Sequence, residues 1–455
     1  MAVQNGADEH EHGPQPQPEG KPEGKPLRVA IVGGGPAGLG AAIALSKLRD
    51  IEVRVFEQAS ELREIGAGIR IGYNCWRVLE LLGAADRVKG HHKTSIVHRN
   101  GLTGEVVASS GPTPVPFRYQ VRRVRRTRLQ QALVSQVPGG IINLNKHVLS
   151  IEDLGQSQPG AGGVRIAFRD GTETTADLVV GADGIRSAIR DSIFPDHKIQ
   201  FTGTIIWRVL IPTRTIAHIP DLISSTSWWH GPEGHVFHSP VDDPAEVAEE
   251  ERLSELSARN LVDPATATGK KFSWGVPATN ERVESHFKDY DPRIREALGQ
   301  VPEGQWKEFS AFAGPRLETL TGWDKVVLLG DASHPLSGAF GSGAAFALED
   351  GWILARAIEH ARSSGQPLAK ALEIFDAIRS PYYRRMYEHL DSQKQKLQDQ
   401  QAKAADSLVG TATFTSTLQQ RVAAFGGEEG LPWIYYNDIE DVWKQFLKGQ
   451  SGASL

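Results

Sequence analysis

Gly33, Gly35 and Gly38 fall in GxGxxG spacing directly after the apolar run LRVAIV, and Gly330–Asp331 closes a second apolar run, KVVLLGD, nearly three hundred residues later. A strand that ends in a tight glycine turn and opens a helix presents backbone N–H groups to phosphate or another anion. One such turn suits a nucleotide. Two of them, at either end of the catalytic region, suit a dinucleotide long enough to need both, which points to FAD. Glu57 adds a carboxylate about twenty residues after the last glycine, where it would accept hydrogen bonds from the adenosine ribose. An acid at that place also argues against the 2′-phosphate of NADP in this turn.

The elements that must position these groups can be read around them. Leu27–Val32 is a β-branched, apolar run of the kind that forms a buried parallel strand. Gly33 allows the sharp turn, Gly35 lets backbone approach a pyrophosphate and Gly38 lets the helix sit close on the strand. Alanines and leucines carry the helix to about Leu48, and a second strand, IEVRVFE, ends at Glu57. In the second segment Pro335 turns the chain, and Gly341, Ser342 and Gly343 open a helix running through ALEDGWILARAIEH. Its amino terminus carries about half a positive charge and free N–H groups. Glu349 and Asp350 on that helix read as structural hydrogen-bonding groups rather than a catalytic carboxylate pair. The arginine-rich run RYQVRRVRRTRLQQAL reads as strand and helix faces, with Thr127 and Gln130 in capping-box spacing at a helix start.

Composition excludes several classes. A net charge of −5 with 40% hydrophobic residues describes no nucleic-acid binder. The single cysteine, Cys75, permits no internal disulfide and fits a reducing compartment. No apolar stretch approaches the ~20 residues that cross a bilayer. Residues 1–26 are rich in Gly, Pro, Glu and Gln and lack the features of a signal peptide, so they read as a disordered tail and the location as cytoplasmic. His235 and His238 form an H-x-x-H pair without further ligands, so no metal site is expected.

Three motifs in fixed order carry a resemblance over about residues 27–395: GGGPAG (33–38), LVVGADGIRSAIR (178–190) and VVLLGDASHP (326–335). The chain resembles the group A flavoprotein monooxygenases, the family of para-hydroxybenzoate and salicylate hydroxylases, and especially fungal members that act on phenols. The resemblance implies an α/β fold: a Rossmann-like FAD-binding domain, a mostly antiparallel substrate-binding sheet and a C-terminal helical region. The FAD domain would comprise 27–90, 120–198 and 312–395, the substrate sheet 91–119 and 199–311, and the C-terminal helical and aromatic segment 396–455, packed across the back of the FAD domain. By the same resemblance Asp183 belongs to the FAD site, Asp331 holds the ribityl chain, and Arg126 reaches the dinucleotide. Gly68 and Arg70 in REIGAGIRIG would pass close to the flavin, where side chains would block the ring; a plain loop with turn glycines is the other reading. Backbone N–H groups of Gly343 and Ala344 would face the flavin N1–C2 carbonyl. Many relatives have proline where Gly338 stands and glutamine where Ser342 stands, so side-chain contacts there are not carried over.

The implied chemistry is oxygen insertion into an electron-rich ring, with NADH or NADPH as transient reductant and O2 as co-substrate. A cation holding the phenolate would lower the phenol's pKa. Arg208, on the strand-like TIIWRVLIP, aligns with a substrate-binding arginine of the fungal dearomatising hydroxylases; the alternative is an edge-strand arginine paired with a surface carboxylate. Its tyrosine partner would be Tyr119, from a neighbouring strand, with core packing as the alternative. Trp207, Trp228, Trp229 and Trp274 suit either an aromatic pocket or the core. The expected substrate is a phenolic or resorcinol-type ring, with an aromatic polyketide intermediate favoured and salicylate-type decarboxylation as the alternative; an FAD-dependent oxidase or a non-catalytic flavoprotein is the alternative of another class. The protein is expected as monomer or homodimer.

Overall fold

The computed structural model describes residues 25–405 apart from 63–65, 93–94, 112–113, 156–162 and 264–273, and beyond 405 residues 414, 418–419, 422 and 430–451. All but two residues of the expected N-terminal tail lie outside this set.

Along the chain, β1 (Leu27–Val32), α1 (Pro36–Leu45) and β2 (Ile51–Phe56) form the first βαβ unit, followed by β3 (Gly68–Ile71) and α2 (Tyr73–Leu82). Next come β4 (His91–His92), the hairpin β5 (Ile96–Asn100) and β6 (Val106–Ser110), then β7 (Arg122–Arg125) and α3 (Arg126–Val134). β8 (Ile142–Asn143), the antiparallel trio β9 (Val148–Asp153), β10 (Val164–Phe168) and β11 (Glu173–Ala176), β12 (Leu178–Gly181) and α4 (Ala188–Ile193) complete the first half. The second half runs β13 (Gln200–Pro212), β14 (Thr226–His230), β15 (Gly234–Pro240), β16 (Leu253–Leu261), β17 (Trp274–Pro277), α5 (Asn280–Glu284), α6 (Pro292–Gly299) and β18 (Lys307–Ala313). It ends with β19 (Thr321–Gly322), β20 (Val326–Leu328), α7 (Gly343–Ser363), α8 (Leu368–Ala405), α9 (Pro432–Tyr435) and α10 (Ile439–Ser451).

The dinucleotide-binding layer is a six-stranded sheet in the order β19-β20-β12-β1-β2-β8, parallel except for the edge strand β19. Strands β12 and β20 are buried along their whole length, as both-face burial of a parallel sheet demands. Helices α1 and α7 cross on this sheet at glycine contacts. A Cβ on Gly351 would lie 2.6 Å from the Ala41 nitrogen, and one on Gly40 would lie 2.8 Å from Leu348. Ala37 and Ala347 both approach Gly330, so the contacts advance together along both helices and α1 and α7 run parallel. Both amino termini therefore emerge at the carboxyl ends of the parallel strands, the usual place for a ligand in such sheets.

The second layer is an eight-stranded sheet, β17-β18-β13-β16-β15-β14-β5-β6, antiparallel except for the β14/β5 pair. One face packs Trp207, Trp229 and Trp306 against α5 and α6 in a second apolar core. That assigns Trp207 and Trp229 to the core, and alternation along β14 leaves Trp228 on the opposite face.

Several sequence expectations shift here. The segment 91–119 divides: β5 and β6 join the large sheet, whereas β4 pairs with β7, which also pairs with β3 in a separate small sheet. Residues Phe117–Tyr119 form a 3-10 turn, not a strand. Helix α3 starts at Arg126 with Arg125 as its N-cap and no side-chain cap, so the Thr127–Gln130 capping box does not form. The antiparallel pairing of β7 with β3 carries the backbone straight into the helix and puts Thr127 inside the first turn. Helix α8 runs unbroken through the 395/396 boundary. Cys75 is buried on α2, where burial pushes its thiol up to about 12, an unreactive setting.

Candidate active site

The first glycine turn separates packing from ligand access. Gly33 has φ +107°, and a Cβ there would lie 2.3 Å from the Ala182 carbonyl oxygen; one on Gly38 would lie 1.9 Å from the Gly33 oxygen. Those two glycines are required by the protein itself. Gly35 is different: a Cβ there would meet no atom within 4 Å. It is the N-cap of α1, which has no side-chain cap, so the helix's first N–H groups open onto that space. Glu57 follows β2 and accepts hydrogen bonds from the N–H groups of Gly34 (2.7 Å) and Ala59 (2.8 Å), which braces the turn. Arg126 anchors by its N–H to the Ala67 carbonyl (2.9 Å) and lines a crevice with Pro36, Leu39 and Ile69 beside this helix terminus.

The second turn mirrors the first. Gly330, at φ +58°, opens a 3-10 turn that exposes Asp331. Helix α7 starts at Gly343 and Ala344, again with no side-chain cap at Ser342. A Cβ on Gly343 would sit 4.0 Å from Asp331 Oδ1, so the carboxylate lies beside this second amino terminus. Arg70 on β3 donates to Ser342 Oγ (3.0 Å) and lies 4.8 Å from the centre of the Tyr435 ring, and the Tyr435 hydroxyl donates to the Phe340 carbonyl (3.0 Å). Arg70 thus stands at the α7 terminus, and the C-terminal segment, expected across the back of the domain, reaches this site as well as packing on α2 and α7.

Asp183 lies beside Gly33 and accepts from the Ser187 hydroxyl (2.5 Å) and the Ile189 N–H (3.2 Å) at the start of α4. Burial raises its carboxyl above the ordinary range. It joins the glycine turn to α4 rather than projecting from it.

Behind the second turn, α7 buries two carboxylates against one cation. Asp350 accepts from the Gly330 N–H (2.9 Å), Tyr383 Oη (2.6 Å) and Arg379 Nε (2.7 Å), while Glu349 accepts from Arg379 Nη2 (3.2 Å) and Asn437 (3.1 Å). The structural reading of the pair holds. One guanidinium cannot offset both charges. Burial favours the neutral form of each acid, but Arg379 and its other partners keep Asp350 below the ordinary range, while burial pushes Glu349 up to about 7. The folded protein therefore binds a proton at Glu349 more tightly than the unfolded chain. That contribution to stability is complete below the ordinary value of 4.5 and is lost as pH rises through about 7; Asp350 acts only below 3.8. The buried histidines, held below their ordinary values, act in the opposite sense over this range, so the effect is read as a difference. Measured by unfolding midpoints in denaturant, Glu349→Gln should gain stability relative to the parent as pH rises across 4.5–7, changing the slope of midpoint against pH. An unchanged slope in the variant would refute the assignment.

The large sheet faces this site through Arg208. The edge-strand reading of Arg208 does not hold, because β13 is an interior strand and its carboxylate partner, Glu255 on β16, is fully buried. Arg208 Nε and Nη2 donate to Glu255 Oε1 (3.0 and 2.6 Å), and Nη2 donates to the Gly68 carbonyl (2.8 Å). Arg123 of β7 takes the other oxygen of Glu255. Burial alone would raise the Glu255 carboxyl, but the two guanidiniums outweigh it and hold it below the ordinary range. A Cβ on Gly68 would meet Glu255 Oε2 at 2.4 Å and Arg123 Nη2 at 2.7 Å. Gly68 is glycine because this ion cluster fills the space above it, a reason the sequence reading did not contain.

Tyr119 does not stand on the sheet. Its ring packs edge-on against Tyr73 in the first core, and its hydroxyl donates to Glu80 (3.0 Å) and accepts from Arg77 (3.0 Å). The core-packing alternative describes it. His235 and His238 point to opposite faces of β15, since they are three residues apart in a period of two. Glu255, Arg123, Arg379 and Tyr435 were missed, and only their pairing across distant segments distinguishes them.

The arrangement fits FAD. Two uncapped helix amino termini face one end of the sheet, Gly35 leaves open space at the first, and Asp331 stands at the second. Together they define a dinucleotide-binding flavoprotein whose large second sheet meets the cofactor end through Arg208 and Gly68. The FAD binding domain family matches residues 26–389, and the chain belongs to that family, within its FAD-dependent aromatic monooxygenases. It is 30% identical over 376 residues to salicylate hydroxylase of Pseudomonas putida, covering 78% of this chain and 82% of that protein. It is 29% identical over 376 residues to 6-methylsalicylate 1-monooxygenase atA of Aspergillus terreus, covering 78% and 79%. The solved salicylate hydroxylase substrate complex superposes with a TM-score of 0.70 at 22% identity, over 93% of this chain and 98% of that one, which bears on the fold. The protein is an FAD-dependent oxidoreductase of the monooxygenase type. Among the described residues no helix is long and apolar enough to cross a membrane.

Proposed function

We propose that the protein uses NADH or NADPH and O2 to hydroxylate an electron-rich phenolic ring, an aromatic polyketide intermediate, in the cytoplasm. The observation that carries this reading is the Glu255 cluster. Glu255 fixes Nε and Nη2 of Arg208 and leaves Nη1 outside those bonds, on a side chain 27% exposed above Gly68. Two guanidiniums around one carboxylate leave an excess positive charge there. Bound FAD supplies an electrophilic oxygen atom derived from O2. The protein's own part is to bind the phenol with its oxygen against Arg208 Nη1, which stabilises the phenolate and makes the ring carbon ortho to it more nucleophilic. Phe237 and Trp228 on the same face exclude water from the ring. The ribityl chain would lie on Asp331, the pyrophosphate on the α1 terminus with Gly35, and the ribose near Glu57, with Arg126 at the entrance. Gly343 and Ala344 would offer N–H groups to the flavin ring, and Arg70 and Gly68 would border it.

A ring hydrogen at the attacked carbon gives a hydroxylated phenol, an alkyl group gives a dearomatised dienone, and a carboxylate leaves as CO2. The relation to salicylate and 6-methylsalicylate enzymes supports testing the last alongside the first. Steady-state NAD(P)H oxidation against resorcylaldehydes and salicylates tests the role of Arg208. Arg208→Gln should lower kcat/KM by about tenfold to a hundredfold, the loss of a charged hydrogen bond. Normal turnover by the variant contradicts the proposal.

A further inference from the structure

Strand register arranges the site-facing side of the large sheet in rows. Leu210 and Glu255 stand nearest Gly66 and Gly68; the next row holds Arg208, Ser257, Phe237 and Trp228. The row beyond holds Ile206, Arg259, His235 and His230. Arg259 is therefore on the same face as Arg208, one row further from the cofactor end, about 6.6 Å along the strands.

Its surroundings differ from those of the other site arginines. Arg208 and Arg123 share Glu255, whereas the hydrogen bond of Arg259 is one from Nη2 to the neutral Thr204 Oγ1 (3.3 Å). It has no carboxylate partner among the described residues, and its neighbours are aromatic or imidazole groups: His235 lies edge-on to Trp228 (4.8 Å) and to His230 (6.0 Å). Burial, with the charge of Arg259 behind it, pushes His235 well below its ordinary value, so His235 offers no further cation. A half-buried guanidinium without a counter-charge is costly, and such groups are normally completed by an anion.

We propose that Arg259 binds a carboxylate on the substrate, placed at the end of the molecule remote from the phenolic oxygen. The idea rests on the phenol reading above and narrows it. Arg208 turns back toward Glu255, and Arg259 turns the other way, toward Thr204. A carboxylate ortho to the hydroxyl, as in salicylate, sits beside the phenolic oxygen and cannot serve both. The substrate class is a phenol whose acid lies on a side chain or a distal ring.

The test measures dissociation constants from perturbation of the bound flavin's absorbance. The probes are 3-(4-hydroxyphenyl)propionate, its methyl ester and salicylate. The native protein should bind the acid at least tenfold more tightly than the ester and than salicylate. Arg259→Gln should remove the acid-over-ester preference, and Arg259→Lys, which keeps the charge, should retain most of it. Equal binding of acid and ester by the native protein, no binding of the acid, or an unchanged preference in Arg259→Gln would overturn the proposal. The native comparison and the lysine variant decide the matter even if the glutamine variant fails to fold. Because binding is read without turnover, failure of the hydroxylation reading would show separately, as phenols that bind without stimulating NAD(P)H oxidation.

Discussion

Arg379→Leu should lose about 3–5 kcal/mol of unfolding free energy, the usual cost of stripping one partner from a buried ion pair. The guanidinium is fully buried and donates to Asp350, Glu349 and the Phe346 carbonyl, while its Nη2 also meets Tyr383 Oη (2.8 Å). Leucine fills part of the volume but leaves Asp350 as a buried charge with the Gly330 N–H and Tyr383 as donors and the His334 imidazole 3.5 Å away. The damage should not stay local. Asp350 holds the turn that presents Asp331, so the variant should also purify with less flavin. Denaturant unfolding of the holoprotein checks the first expectation and the ratio of visible to ultraviolet absorbance checks the second. A variant within 1 kcal/mol of the parent would show that the cluster is not the support described here.

Asp331→Ala should weaken FAD binding by about tenfold to a hundredfold, because a charged acceptor for the ribityl hydroxyls is worth roughly 1.5–3 kcal/mol. Asp331 is exposed, so its loss should change stability little in the flavin-free protein. That separates it from Arg379, whose removal acts through folding. Fluorescence titration of apoprotein with FAD measures the change. Unaltered affinity would remove Asp331 from the cofactor site.

What the sequence disclosed follows from the range of the interactions involved. The β1–turn–α1–β2 unit was legible to within a few residues because its glycines answer to contacts within a short stretch: Gly38 meets Gly33, and Glu57 meets Gly34. Gly33 itself also answers to Ala182, yet its turn chemistry is local enough to show. Helix α1 ends at Leu45, three residues before the expected Leu48, since Ser46 stops it without glycine or proline to mark the end. Tyr119 was misplaced because an arginine-rich segment with alternating aromatics reads as strand, whereas Pro116 and the Arg77–Glu80 pair on α2 fix it as a turn against the first core. The meaning of Arg208 was hidden for a different reason. Glu255 is paired with it only by the β13/β16 register, and no local spacing announces that a glutamate among apolar strand residues points inward at two arginines. Likewise Arg379 looks like any arginine on a long helix until α8 is laid against α7.

The central claim, oxygen insertion into a phenol, is tested most directly by incubating the FAD-loaded protein with NAD(P)H and ¹⁸O2 and the phenol that most stimulates NAD(P)H oxidation. The product should carry one ¹⁸O atom on the ring, in proportion to NAD(P)H consumed. NAD(P)H oxidation that leaves the ring unlabelled would contradict it.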